Sequence, residues 1–346
     1  MKKFSIFPFL IFFLLIVYGC KNISGSGSSA NSEHDKSCLY FISRENGSEG
    51  ISRVCLGGLQ EPIIMVEGIK EFSLAANTGT IAYIQATDSG QDAIWIINPG
   101  KKSPELLFSC EADQCESLAI EPDGSFLYFS RIGKITGLFQ VDIRTGNDVR
   151  ITSVFADWVD VSPDGSYVRV HEPERGLVRV ISLEKIEVIL SFPGDTDLIG
   201  DWSPDGTRFL MGERNVEGQL LVSRYAEISV PDQSSIALFT LPMGVEYFRP
   251  AYLTENLFFV VARSGVRNNS RSISIIDDTG VIQNSVTEPN EYDHSSIRWN
   301  ERSKILAYQR YDISQSNSMA EIVIWDQFDG TSLTIAENAV QPRWLD

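Results

Sequence analysis

The sequence predicts an all-β protein, a propeller of four-stranded blades, and three observations carry that expectation. A turn recurs as Glu121-Pro122-Asp123-Gly124, Ser162-Pro163-Asp164-Gly165 and Ser203-Pro204-Asp205-Gly206, with the three glycines 41 residues apart. Each copy is followed by short apolar strands and polar turns without intervening helices, four strands in about 40 to 50 residues, which is the content of a propeller blade. The two ends are complementary fragments. Gln341-Pro342-Arg343-Trp344-Leu345-Asp346 reads as a first strand without successors, and Cys38-Leu39-Tyr40-Phe41-Ile42-Ser43 as a second strand without its first. Six complete units and this composite give seven blades, with six or eight as the alternatives if a divergent unit is miscounted. Pairing the two ends closes the ring and removes the free sheet edges that invite edge-to-edge aggregation.

The chain opens with Lys2-Lys3, an apolar run from Phe4 to Tyr18, then Gly19 and Cys20. A basic start, an apolar stretch of about 15 residues and a small residue before the cut make residues 1–19 a secretory signal peptide, too short to span a bilayer. Val17-Tyr18-Gly19-Cys20 resembles the bacterial lipoprotein lipobox, which implies that Cys20 is lipidated and becomes the mature N-terminus. The alternative is an ordinary signal peptide with an incidental cysteine. Residues 20–37 are rich in Ser, Gly and Asn with little to bury, and read as a flexible tether between the lipidated cysteine and a folded domain over 38–346. His34 falls in that tether.

The other four cysteines form two local pairs. An Asn46-Gly47 turn puts Cys38 directly opposite Cys55 in an antiparallel hairpin, and Cys110 and Cys115 face each other across a short loop. In an exported protein both pairs are expected as disulfides. Free buried thiols or a shifted hairpin register stay open as alternatives.

Within each unit the turn chemistry sets the register. Proline fixes φ for the second turn position, aspartate bonds its own backbone, and glycine supplies positive φ. In Gly200-Asp201-Trp202-Ser203-Pro204-Asp205-Gly206, Trp202 ends one strand, and Phe209-Leu210-Met211 begins the next. Looser turns lie at Ala76–Gly79, Leu253–Asn256 and Asn300–Ser303. The aspartates are expected to shape turns, and their place on separate blades argues against a shared metal site.

The precursor carries a net charge of −17, and loss of Lys2 and Lys3 from 29 basic residues against 46 acidic ones takes it to −19. A chain this acidic is not built to hold nucleic acid. The aromatic-Ser-Pro-Asp-Gly turn followed by an apolar strand, with Pro342-Arg343-Trp344 opening a unit, resembles the TolB-like propeller repeat. That repeat is a relative of the WD repeat, found in bacterial envelope proteins and in the propellers of prolyl oligopeptidase-type peptidases. The resemblance covers most of residues 38–346 and implies architecture rather than activity.

No catalytic residues, metal ligands or cofactor are expected. His171 and His294 are the only histidines outside the tether and read as solvated, which makes a His-based metal site improbable. No Gly-x-Ser-x-Gly elbow occurs, so a serine nucleophile has no mounting.

Two regularities mark a candidate binding face. Acidic segments connect consecutive units: Glu111, Asp113 and Glu116; Asp157 and Asp160; Asp195, Asp197 and Asp201; Glu288, Glu291 and Asp293. In a propeller such connections gather at one mouth of the channel and focus a negative potential there. Arg44, Arg131, Arg263 and Arg310 end four second strands on that same face, where three other units carry Ala86, Glu172 and Glu213. They either pair with the acidic segments or offer a fork to an acidic ligand. Arg44, Arg131, Arg263, Arg310, Asp157, Asp195 and Asp197 are the residues selected. The expected function is a membrane-anchored lipoprotein of the bacterial cell envelope, periplasmic or surface-exposed, that binds or scaffolds a protein or peptide partner without catalysis. The alternatives are a glycan-active enzyme using carboxylates at the channel mouth, and a substrate-capturing lipoprotein of a transporter.

Overall fold

A computed structural model describes residues 37–45, 48–87, 90–101, 103–217, 220–241, 245–264, 270–289, 291–315 and 318–345. The signal peptide, Cys20, the tether and the Asn46-Gly47 turn lie outside the described residues. The described chain forms seven four-stranded antiparallel sheets, one per blade, in a ring. Blade 1 is the composite: Ala339–Leu345 is its innermost strand and pairs with Cys38–Glu45, the register running from Cys38 opposite Leu345 to Ser43 opposite Ala339. Blades 2 to 7 follow over residues 69–109, 114–152, 158–193, 199–240, 245–285 and 292–336. Among the described residues the one helical element is a 3₁₀ turn, Thr196–Leu198, capped by Asp195, whose carboxylate accepts from the Asp197 amide. The repeats gave no sign of it.

The hydrophobic core lies between blades rather than within them. Ala75, Ala82, Ile84 and Ile94 of blade 2 pack with Leu118, Leu127, Phe129 and Phe139 of blade 3, and other neighbours repeat the arrangement. Middle strands are therefore covered on both faces, which is why they read as continuous apolar runs. A polar side chain in such a strand is buried by position alone.

The repeated turns behave as their chemistry requires. Asp205 accepts from the Thr207 amide at 3.0 Å and from the Ser203 hydroxyl at 2.5 Å, and Asp123 and Asp164 repeat the amide bond in blades 3 and 4. Gly206 has φ +74°, and a Cβ there would meet the Asp164 carboxylate at 2.5 Å, so glycine serves both the turn and the approach of the neighbouring blade. Gly200 has an ordinary φ, but a Cβ on it would sit 2.5 Å from the Pro250 carbonyl oxygen, where the inner strands of blades 5 and 6 meet.

Cys38 stands opposite Cys55 in register, and the structure joins their sulfurs, as it does those of Cys110 and Cys115.

Candidate functional site

Consecutive antiparallel strands put the first-to-second and third-to-fourth turns of each blade on one face, and the second-to-third loops and blade-to-blade connections on the other. The selected residues all fall on this second face, yet they do not converge. Each arginine is engaged near its own blade. Arg44 donates to Glu49 at 2.7 Å, and Glu49 also accepts from the Gly68 and Ile69 amides that lead into blade 2. Arg131 is buried against Asp113 at 2.8 Å, and backbone bonds from Lys134 and Ile135, with the guanidinium, hold that carboxyl below its ordinary range. Arg263 pairs with Glu246, and Arg310 with Glu321 at 2.6 Å. Where blade 4 substitutes Glu172, the same kind of pair forms with the charges exchanged, since buried Glu172 takes Arg179 at 3.1 Å and Arg175 at 3.2 Å. The ends of these second strands are ion-pair positions.

The two histidines are not solvated. His171 is buried in a middle strand and shares a 2.6 Å hydrogen bond with Asp157. His294 is buried on the innermost strand of blade 7, donates to the Arg271 carbonyl, and has its pKa pushed down by burial. Strand position decides this, because both lie inside elements flanked by neighbouring blades.

Asp160 and Asp201 also differ from expectation. They sit on innermost strands, Trp158–Val161 and Ile199–Trp202, at equivalent positions lining the channel, rather than in connections. The same position carries Arg298 in blade 7 and Arg343 in blade 1. Arg298 reaches Asp201 at 3.7 Å, skipping blade 6. Burial pushes Asp201 up, chiefly against the pull of Arg298, and lowers Arg343 to about 10. Glu71, on the innermost strand of blade 2, is raised by burial to about 7 against the pull of Arg343 and a backbone bond from Leu118. In blades 7 and 1 the residue two before the arginine has a left-handed backbone, Ser296 at φ +51° and Gln341 at φ +58°, each within an irregularity of strand pairing. Bulges of this kind re-aim side chains, and no turn signature announces them.

Arg169 is the largest fully buried side chain. It lies in the middle strand Tyr167–Glu172, donates to Asp160 at 2.6 Å and to the Gly200 carbonyl at 2.9 Å, and packs over the rings of Trp202 at 4.3 Å and Phe209 at 4.7 Å. It ties blade 4 to blade 5 beneath the acidic wall. Its signal in the sequence is an arginine inside the strand Tyr-Val-Arg-Val-His.

Beside the channel mouth, between blades 6 and 7, a cleft of about 240 Å³ is lined by Asp197, Phe248, Arg249, Arg271, Gln309 and Tyr311, among others. Arg249, left-handed at φ +45°, pairs at 3.3 Å with Asp197 across from blade 5. Arg271 holds Asp293 through both ends of its fork, at 2.8 and 2.5 Å, and lies over the Phe248 ring. Gln309 donates to the Tyr311 hydroxyl, and burial raises that phenol's pKa. Of the selected residues only Asp197 lines this cleft. Among the described residues no group of three or more His, Cys, Asp or Glu is placed to hold a metal ion.

No family model matches the sequence, and no curated protein matches it. Solved structures do match. TolB from Acinetobacter baumannii is similar at 13% identity with a TM-score of 0.53, over 91% of this chain and 67% of TolB. An oligogalacturonate lyase in complex with manganese is similar at 13% identity and TM-score 0.50, over 77% of this chain and 72% of the lyase. The Pyrococcus horikoshii acylaminoacyl peptidase is similar at 13% identity and TM-score 0.56, over 78% of this chain and 46% of the peptidase. These likenesses concern the fold, a β-propeller like that of TolB, here with seven blades. At such identities they concern the fold alone, and the propellers they share serve unrelated chemistries.

Proposed function

We propose that the protein is a cell-envelope lipoprotein, anchored through acyl chains on Cys20, whose propeller binds a protein or peptide partner without catalysis. The cleft between blades 6 and 7 carries this reading. It presents the exposed Arg249 guanidinium beside Tyr311, with Arg271 held on Asp293 behind it, a charge-assisted donor next to an aromatic ring of the kind peptide recognition uses. Its exposed Arg249–Asp197 pair is a weak surface contact that a ligand carboxylate can displace. Of the channel carboxylates that a glycan-active enzyme could use, Asp160 is committed to Arg169 and Asp201 faces Arg298. Among the described residues no helix is long and apolar enough to cross a membrane, and the lipid on Cys20 serves as the anchor in this reading.

The test is site-specific photo-crosslinking in intact envelopes, with the crosslinker at position 311 in the cleft or at position 255 on the opposite face. One discrete adduct from 311 that disappears in Arg249→Glu, with melting temperature unchanged, is the expected result. Equal adducts from both positions, or none from 311, would count against the cleft as the binding site.

A further inference from the structure

We infer that the rim formed by the third-to-fourth strand turns of blades 7 and 1 rests on a lipid bilayer, so that the cleft faces away from the membrane. The inference rests on the proposed lipidation of Cys20. Leu59 and Phe328 are the most exposed large hydrophobic residues among those described, at 87% and 81%. Scattered surface apolar residues are ordinary, but these two occupy turn tips, the parts of the rim that reach a flat surface first. Leu59 lies in the turn between Ser48–Cys55 and Gln60–Met65, and Phe328 in the turn between Glu321–Asp326 and Ser332–Ala336. Blades 7 and 1 are neighbours in the ring, and both turns lie on the face opposite the cleft.

The described chain begins beside the same rim. The Ser37 carbonyl accepts from the Leu56 amide at 3.1 Å, so the described chain begins alongside the Leu59 turn. A Ser/Gly-rich stretch of the length of residues 21–36 has a root-mean-square reach of roughly 20–24 Å. Strands of six to eight residues, as in blade 1, give the disc a depth of roughly 20–26 Å. A lipid on Cys20 would therefore keep this rim within reach of the bilayer, with the cleft about one disc thickness farther from the point of attachment.

Polar groups at the tips set the depth. Asp326 and Asp329 brace the turn backbone, accepting from the Phe328 amide at 2.7 Å and the Thr331 amide at 2.8 Å, and Asp329 stays exposed. Lys304 lies beside this turn, its carbonyl accepting from the Gln327 amide. These charges stay at headgroup level, where the two apolar side chains reach the acyl boundary.

The test uses the lipidated full-length protein in vesicles of phosphatidylethanolamine and phosphatidylglycerol containing bromine-labelled phosphatidylcholine. A bimane label is placed by Leu59→Cys on the rim or by Glu174→Cys on the opposite face. Vesicle flotation with quenching at position 59 at least ~3-fold that at 174, diminished when Phe328→Ser is added, is expected for shallow interfacial contact. Flotation with equal quenching at the two positions, or with a rim that stays unquenched, overturns the rim contact and leaves the anchor standing. Failure to float overturns the anchor and the rim contact together.

Discussion

Replacing Arg169 with methionine keeps most of its volume while removing its charge and its bonds to Asp160 and to the Gly200 carbonyl. Taking one partner from a buried ion pair costs about 3–5 kcal/mol. Here Asp160 keeps 37% of its side chain exposed, so part of that loss is recovered by water and the lower end applies. The cation stacked on Trp202 and Phe209 adds about 1 kcal/mol or more. The expectation for Arg169→Met is a loss of about 3–4 kcal/mol, read from urea unfolding followed by tryptophan fluorescence, as a lower midpoint with an unchanged slope. Combining it with Asp160→Asn removes the stranded carboxylate and should return about 1–2 kcal/mol. A single mutant within 1 kcal/mol of wild type, or a double mutant no more stable than the single, would refute the role of Arg169 as a buried tie between blades 4 and 5.

Glu71 makes a pH prediction. Its folded pKa, about 7, lies above its unfolded value near 4.5, so the folded state binds the extra proton and Glu71 lowers stability as pH rises from about 4.5 to about 7. The wild-type minus Glu71→Gln difference in melting temperature should therefore fall across that window, and a flat difference would count against a desolvated carboxyl. Asp205→Ala should lose about 1 kcal/mol, the scale of a net side-chain hydrogen bond, and leave crosslinking from the cleft intact. Lost crosslinking in a folded Asp205→Ala protein would show that this turn does more than shape the backbone.

The architecture was legible because its signals are local and repeated. Proline, aspartate and glycine each act within four residues, and the Cys38–Cys55 register follows from one hairpin. The channel was less legible because its residues depend on where innermost strands begin and on bulges that no residue type advertises. The acidic spacing places Asp160 and Asp201 in connections only a few residues away, and Arg298 and Arg343 are recognisable only beside their counterparts on other blades. The arginines at the ends of second strands were found by alignment, but a repeated position can serve each blade separately, as the exchanged pair at Glu172 shows. The cleft between blades 6 and 7 draws on Asp197, Arg249, Arg271 and Gln309, from two blades and the connection into blade 5, with no common motif.

The channel wall has a consequence for whatever enters it. Were every blade identical at its inward position, their contributions would cancel by symmetry and the lumen would be uniform around its axis. The copies have diverged there, with Asp160 and Asp201 on blades 4 and 5 and Arg298 and Arg343 on blades 7 and 1, while Glu71 adds a carboxyl earlier on the innermost strand of blade 2. The lumen is therefore polarised from side to side, with carboxylates on one arc of its wall and guanidinium groups on another. A group carrying both signs of charge is turned across the axis, its anionic end toward blades 7 and 1.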